Sequence, residues 1–164
     1  MPTLTSAADA HVDAPADVVL HVLRDFDGHH RRILPPAFSD FEILHGGYGD
    51  GTMTSFKLKL GGRTTAGRTL ATETEPGTIR EQIIGRDMVT EFRVAPEGDG
   101  SRVTISTRWT PAGGLSGALE RLFAPSMLRK VYVEELALLA GYAPTLTPEA
   151  SAPETSAAAN PGPA

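Results

Sequence analysis

The chain contains no cysteine, which excludes disulfides, thiolate nucleophiles and Cys-ligated zinc, and fits a reducing compartment. It has no basic excess either. A formal net charge of −5 speaks against a general nucleic-acid binder, which carries a basic stripe or surplus. No uninterrupted apolar stretch approaches the ~20 residues needed to span a bilayer, so no integral membrane association is expected. Met1 to Ala10 shows neither the basic segment nor the apolar segment of a secretory signal, and the expected setting is cytoplasmic.

Several chemical signatures are also missing. Ser116 does not sit in a G-x-S-x-G elbow, which argues against a serine hydrolase. Gly46-Gly47-Tyr48-Gly49-Asp50-Gly51 is glycine-rich but leads into a strand, whereas a phosphate cradle needs a helix N-terminus behind it. There is no H-E-x-x-H spacing, and the adjacent His29 and His30 point apart in any regular element, making them poor joint metal ligands. A surface role suits them better, with His29 retained as a candidate base or ligand contact at a cavity entrance. No metal and no cofactor are expected.

What is present is ordinary globular material: 164 residues, 40% hydrophobic and 21% charged, enough for one domain with a real core. A strand is expected over Thr5–Val12. Pro15 and the flanking acids then open a helix whose apolar stripe is Val18, Val19, Val22, Leu23 and Phe26, ending at Gly28. From Phe38 the apolar period becomes two. Strands are expected over Asp40–Leu44, Thr52–Leu60, Thr64–Glu75, Thr78–Ile84, Met88–Ala95 and Arg102–Thr110, joined by Gly- and Pro-containing turns into an antiparallel meander. After Gly114 the chain turns helical to about Gly141. Apolar residues before and after Pro125 point in different directions, so a kink or break is expected there. Residues 143–164 turn into Ala, Pro, Ser and Thr and are read as a disordered tail, leaving residues 1–142 as the domain.

Turn lengths set the register, and register sets which face is buried. The turns at residues 97–100, 85–86 and 76–77, with a three-residue loop at 61–63, give one apolar inner face. It carries Phe56, Leu58, Leu70, Ile79, Ile83, Met88, Phe92, Val94, Val103, Ile105 and Trp109. The outer face carries mostly charges, including an expected Glu73–Arg80 pair. Across the inner face runs a polar row: Thr52, Thr72, Glu81, Thr90 and Thr107. A carboxylate at Glu81 in such a surface is costly to ionise, and Arg68, also expected inward, is the nearest candidate cation. Two readings stay open: a wet rim, or the polar lining of a ligand cavity.

The run Asp13 to Val19 leading to Leu23-Arg24-Asp25-Phe26 resembles the opening of the polyketide cyclase/dehydrase-like branch of the SRPBCC (START-like) superfamily. Gly49-Asp50-Gly51-Thr52 resembles that branch's entry to its third strand, Gly98 to Ile105 its last hairpin, and Val133 to Leu139 its helix end. The resemblance covers roughly Ser6 to Tyr142. It implies an α+β helix-grip fold, a curved antiparallel sheet wrapped around a long C-terminal helix. It also implies a cavity for lipids, polyketides, quinones or hormones, without a universal catalytic set. The aromatic pair common after the first helix is replaced here by His29-His30-Arg31-Arg32.

Three functions follow from this reading. The first is binding, and by extension transport, of a hydrophobic small molecule. The second is a cyclase or dehydratase with Glu81 as general acid or base, oriented by Arg68. The third is an interaction module whose interior is filled. The expected ligand-binding residues on the sheet are Phe56, Arg68, Leu70, Thr72, Glu81, Ile83, Met88, Thr90, Phe92, Thr107 and Trp109. Met127 and Val131 join them from the C-terminal helix.

Overall fold

The computed structural model describes residues 2–146. The strands are β1 (Leu4–Val12), β2 (Phe38–His45), β3 (Met53–Leu60), β4 (Arg63–Glu75), β5 (Thr78–Ile83), β6 (Met88–Glu97) and β7 (Gly100–Trp109). The helices are α1 (Ala16–Arg24) and α2 (Gly114–Tyr142), with a short 3-10 turn at His30–Ile33. The strands form one antiparallel sheet in the order β1-β7-β6-β5-β4-β3-β2. Consecutive hairpins generate this order from β2 to β7, and β1 closes the far edge against β7. The curved sheet and the long C-terminal helix make the helix-grip fold.

Helix α1 buries Val18, Val19, Val22 and Leu23, the stripe its periodicity requires. It ends at Arg24, earlier than Gly28, because the Asp25 carboxylate accepts the backbone N–H groups of Gly28 and His29 and turns the chain. Phe26, Leu23, Ile33, Ile79, Ile105, Leu136 and Leu139 form the centre of the core. The ordered chain continues past residue 142. Ala143–Thr145 make a further 3-10 turn with Ala143 buried, and the rest of the expected tail, residues 147–164, lies outside the described residues.

The expected register holds on β5, β6 and β7: Glu81 faces Thr90, Thr90 faces Thr107, and Met88 faces Trp109. On β4 it slips by one. The β3–β4 connection is a two-residue turn, with Leu60 paired to Arg63 and both Gly61 and Gly62 at positive φ (55° and 78°). Two successive glycines suit that tight geometry better than a three-residue loop. Phe56 therefore faces Gly67, not Arg68, and Met53 faces Leu70. On the other side of β4, Glu75 pairs with Thr78, but an irregularity between Thr72 and Glu75 shifts the ladder so that Ala71 faces Glu81. At this irregularity the Glu73 N–H bonds to the Asp50 carboxylate instead of the neighbouring strand. A bulge of this kind inverts the faces on either side of it.

The consequence is a set of corrections. Thr69 and Ala71 are the buried residues of β4, while Arg68 is exposed and Leu70 and Thr72 alternate outward. Thr52 precedes β3 and accepts the Gly47 N–H. The expected Glu73–Arg80 pair is absent: Glu73 is held by Arg24, through two bonds of 2.8 and 2.9 Å, and Arg80 pairs with Glu91.

Helix α2 runs without a break through Pro125. Its two apolar stripes nonetheless point apart. Leu128, Val131, Tyr132, Leu136 and Leu139 are buried, whereas Leu115, Leu119, Leu122 and Phe123 are exposed. The break expected at Pro125 is not found, and the apolar side chains of the first half stay largely exposed. That half is tied down by polar contacts instead: the Glu120 carboxylate accepts the Trp109 indole N–H and the Ala112 N–H. Further along, the Pro125 carbonyl accepts the Ser6 hydroxyl of β1.

Candidate functional site

Between the sheet and α2 lies a narrow cavity of about 60 Å³, room for a few water-sized groups. Its walls are mostly apolar: Leu34, Phe38, Phe41, Phe56, Leu58, Ile83, Met88, Phe92 and Leu128. Its polar groups are His30, Thr54, Thr69, Glu81, Thr90, Tyr132 and Glu135. Phe38, Phe41, Phe56 and Met88 are only partly buried, so they can swing to admit a ring-sized molecule.

The hydroxyls satisfy one another. Thr54 and Thr69 share a hydrogen bond of 2.6 Å across β3 and β4. Thr90 bonds Thr107 at 2.7 Å, and Thr107 bonds the Tyr132 hydroxyl. His30 is stacked on Phe26 with ring centroids 4.8 Å apart. Its Nδ1 lies 2.9 Å from the Leu23 carbonyl. A carbonyl only accepts, so Nδ1 carries the proton and Nε2 is left as a lone-pair acceptor. Burial lowers the His30 pKa and keeps the ring neutral.

The two carboxyls are different. Glu81 on β5 and Glu135 on α2 both line the cavity, and neither has a hydrogen bond or ion pair with any other described residue. Glu135 is 2% exposed. Desolvation raises Glu81 from the ordinary 4.5 to about 7. Desolvation and the neighbouring Glu81 charge raise Glu135 well above its usual range. Loss of hydration disfavours the charged form, and with no cation nearby nothing offsets it. No lysine or arginine lines the cavity. Tyr132 is likewise pushed up by burial.

Of the residues expected at the site, Phe56, Glu81, Ile83, Met88, Thr90 and Phe92 line this cavity. Thr107 sits behind Thr90 and Tyr132 as a support. Trp109 is engaged with Glu120, and Met127 packs beside Gly61. Val131 is buried but does not line the cavity. Arg68, Leu70 and Thr72 leave the inner face with the β4 slip, so Arg68 is not placed to orient Glu81. His29 bonds Tyr142; it is the adjacent His30 that reaches the cavity.

Glu135 and His30 are absent from the residues that the sequence marks for the site. For Glu135 a signal exists: it lies one turn beyond Val131 and beside Leu136, on the face the apolar spacing marks as buried. His30 has none of comparable weight, because a single 3-10 turn has no periodicity to read.

Gly67 faces the Phe56 ring, and a Cβ there would lie 2.8 Å from Phe56 Cζ. Gly67→Ala is expected to destabilise the fold by ~1 kcal/mol and to turn the ring into the cavity. A denaturant titration checks this, and an unchanged midpoint would contradict the packing described here.

An apolar cavity gripped between a curved antiparallel sheet and a C-terminal helix defines a START-like helix-grip protein. The family described as "Polyketide cyclase / dehydrase and lipid transport" matches residues 3–144, and the chain belongs to it. Among solved structures it is similar to the KanY protein, at 30% identity and TM-score 0.78 over 88% of this chain and 99% of that one. A Thermus thermophilus protein, TTHA0849, gives 17% identity and TM-score 0.74 over 91% of this chain and 100% of that one. The ZhuI aromatase/cyclase from Streptomyces sp. R1128 gives 18% identity and TM-score 0.70 over 87% and 94%. The last two likenesses concern the fold alone. No curated protein matches the chain. Among the described residues, no helix is long and apolar enough to cross a membrane.

Proposed function

We propose that this chain binds a hydrophobic small molecule in the cavity between the sheet and α2, with Glu81 and Glu135 as the polar groups that recognise it. The observation that carries this reading is the pair of carboxyls, Glu135 buried and Glu81 half-buried, that face a mostly apolar space without a protein partner among the described residues. Burying polar groups unsatisfied costs stability, and such a cost persists where function needs it. The ligand is of lipid, quinone or polyketide size only if the partly exposed aromatic side chains move.

Thermal-shift screening of the full chain against lipids, quinones and aromatic polyketides, with native mass spectrometry of the hits, tests the proposal. A ligand at 100 times its Kd adds about 2.7 kcal/mol, a shift of several degrees for a domain of this size. Uniform failure across the three classes would count against a binding role.

A second reading is acid–base catalysis of a cyclase or dehydratase type. It is favoured by Glu81 titrating near 7, where a carboxyl can both give and take a proton at neutral pH. Under this reading Glu81→Gln abolishes turnover of an aromatic polyketide while the fold survives; turnover that persists removes Glu81 from the role.

A further inference from the structure

Resting on the binding reading above, we infer that the cavity selects a ligand that presents a protonated amine on an apolar or aromatic body, held between Glu81 and Glu135. Two carboxyls without a protein partner line this cavity, and among the described residues no lysine or arginine does. The threonine and Tyr132 hydroxyls bond one another in the Thr54–Thr69 and Thr90–Thr107–Tyr132 contacts. The His30 proton is used on the Leu23 carbonyl. Beside these hydroxyls, a lone-pair nitrogen and two carboxyl groups face a ligand. The ionised form of Glu81 therefore has no counter-charge among the described lining residues.

A carbonyl-bearing ligand brings only acceptors and no positive charge. A neutral hydroxyl supplies one donor and no charge. An ammonium supplies up to three N–H donors and the missing positive charge, and it can bond both carboxyls at once. The remaining walls suit such a cation as well, because Phe38, Phe41, Phe56 and Phe92 present aromatic rings to the same space. Ring faces attract a desolvated cation.

The pH dependence has a definite sign. The titratable groups around Glu81 are Glu135 and Tyr132 from α2 and His30 from the 3-10 turn; β2, β3, β4 and β6 contribute only apolar and threonine side chains to the lining. An alkyl amine stays protonated through neutral pH. It binds best when Glu81 is ionised. With Glu81 titrating near 7, affinity rises about 10-fold from pH 6 to pH 8 and a proton is released on binding at the lower pH. A ligand that accepts from the acid form shows the opposite trend.

The test uses three probes with one apolar body: 4-phenylbutylamine, 4-phenylbutanol and 4-phenylbutyrate. They are titrated calorimetrically into the full chain at pH 6 and pH 8. The expected result is an amine at least 10-fold tighter than the alcohol at pH 8, tightening with pH, and a carboxylate that binds weakest. The amine-to-alcohol ratio should fall to within about 2-fold in the Glu81→Gln, Glu135→Gln double variant. Alcohol binding equal to or tighter than amine binding, or amine affinity that falls as pH rises, overturns the amine inference while leaving the binding reading intact. Binding of none of the three overturns both.

Discussion

Glu135→Leu is expected to stabilise the protein by about 2 kcal/mol or more at pH 7.5, raising the melting temperature by ~4–8 °C. Most substitutions of a residue as buried as this one, 2% exposed, destabilise. Glu135 should be an exception because of what surrounds it. Its carboxyl gains no hydrogen bond or ion pair from the described residues, and both desolvation and Glu81 oppose its ionisation. Leucine occupies a similar volume, needs no partner, and extends the apolar face of Leu128, Val131 and Leu136. The same variant should lose ligand recognition, the usual exchange of function for stability at a binding site. A melting temperature that falls would mean that the carboxyl contributes to the fold through a contact other than those described.

The second large effect is a pH dependence of stability that Glu81→Gln removes. In the folded chain Glu81 keeps its proton up to about 7; its ordinary value is 4.5. Between those values the folded state binds more protons than the unfolded state, so stability falls as pH rises. The contribution is fully present below 4.5 and is gone once pH passes 7. At 1.36 kcal/mol per pH unit the change amounts to ~3 kcal/mol across the window. Glu135 acts in the same direction. His30 acts in the opposite one: burial lowers its pKa, so acid destabilises the fold by protonating the unfolded chain. Comparing the wild type with Glu81→Gln separates these effects. Urea titrations at pH 4.5 and pH 8 should show the Gln variant gaining ~3 kcal/mol relative to the wild type between the two. A difference that stays constant with pH would mean that Glu81 is solvated.

The fold is legible in the sequence because its signals are redundant. The period-two stretches, the turn chemistry and the apolar stripe of α1 each point to the same meander, and a register on β5, β6 and β7 follows from turn length alone. The position of Glu81 opposite Thr90, facing inward, comes from that register. The slip on β4 is not legible, since it depends on two local events. One is the choice of a two-residue turn at Gly61-Gly62. The other is a bulge near Glu73, whose freed N–H is taken by Asp50 from a loop distant in sequence. Sequence spacing carries no information about that contact.

The same slip decides which candidate residues reach the cavity. It exchanges Arg68, Leu70 and Thr72 for Gly67, Thr69 and Ala71 on the inner face, and so removes the only cation expected there. An ion pair between Glu81 and Arg68 gives way to two acids with no counter-charge. Pro125 reads as a break because a proline costs a helix a hydrogen bond; the helix tolerates it where the segment before it is only loosely packed. The exposed side of that segment, with Leu119 and Phe123, shows that an apolar stripe marks a face without naming its partner.

A carbon-detected NMR titration of the glutamate side chains directly measures whether Glu81 and Glu135, facing one cavity, both hold their protons above the ordinary carboxyl range. Glu81 is expected to titrate near 7 and Glu135 well above the ordinary range, moving down when Glu81 is replaced by glutamine. Midpoints near 4.5 for both would contradict this expectation.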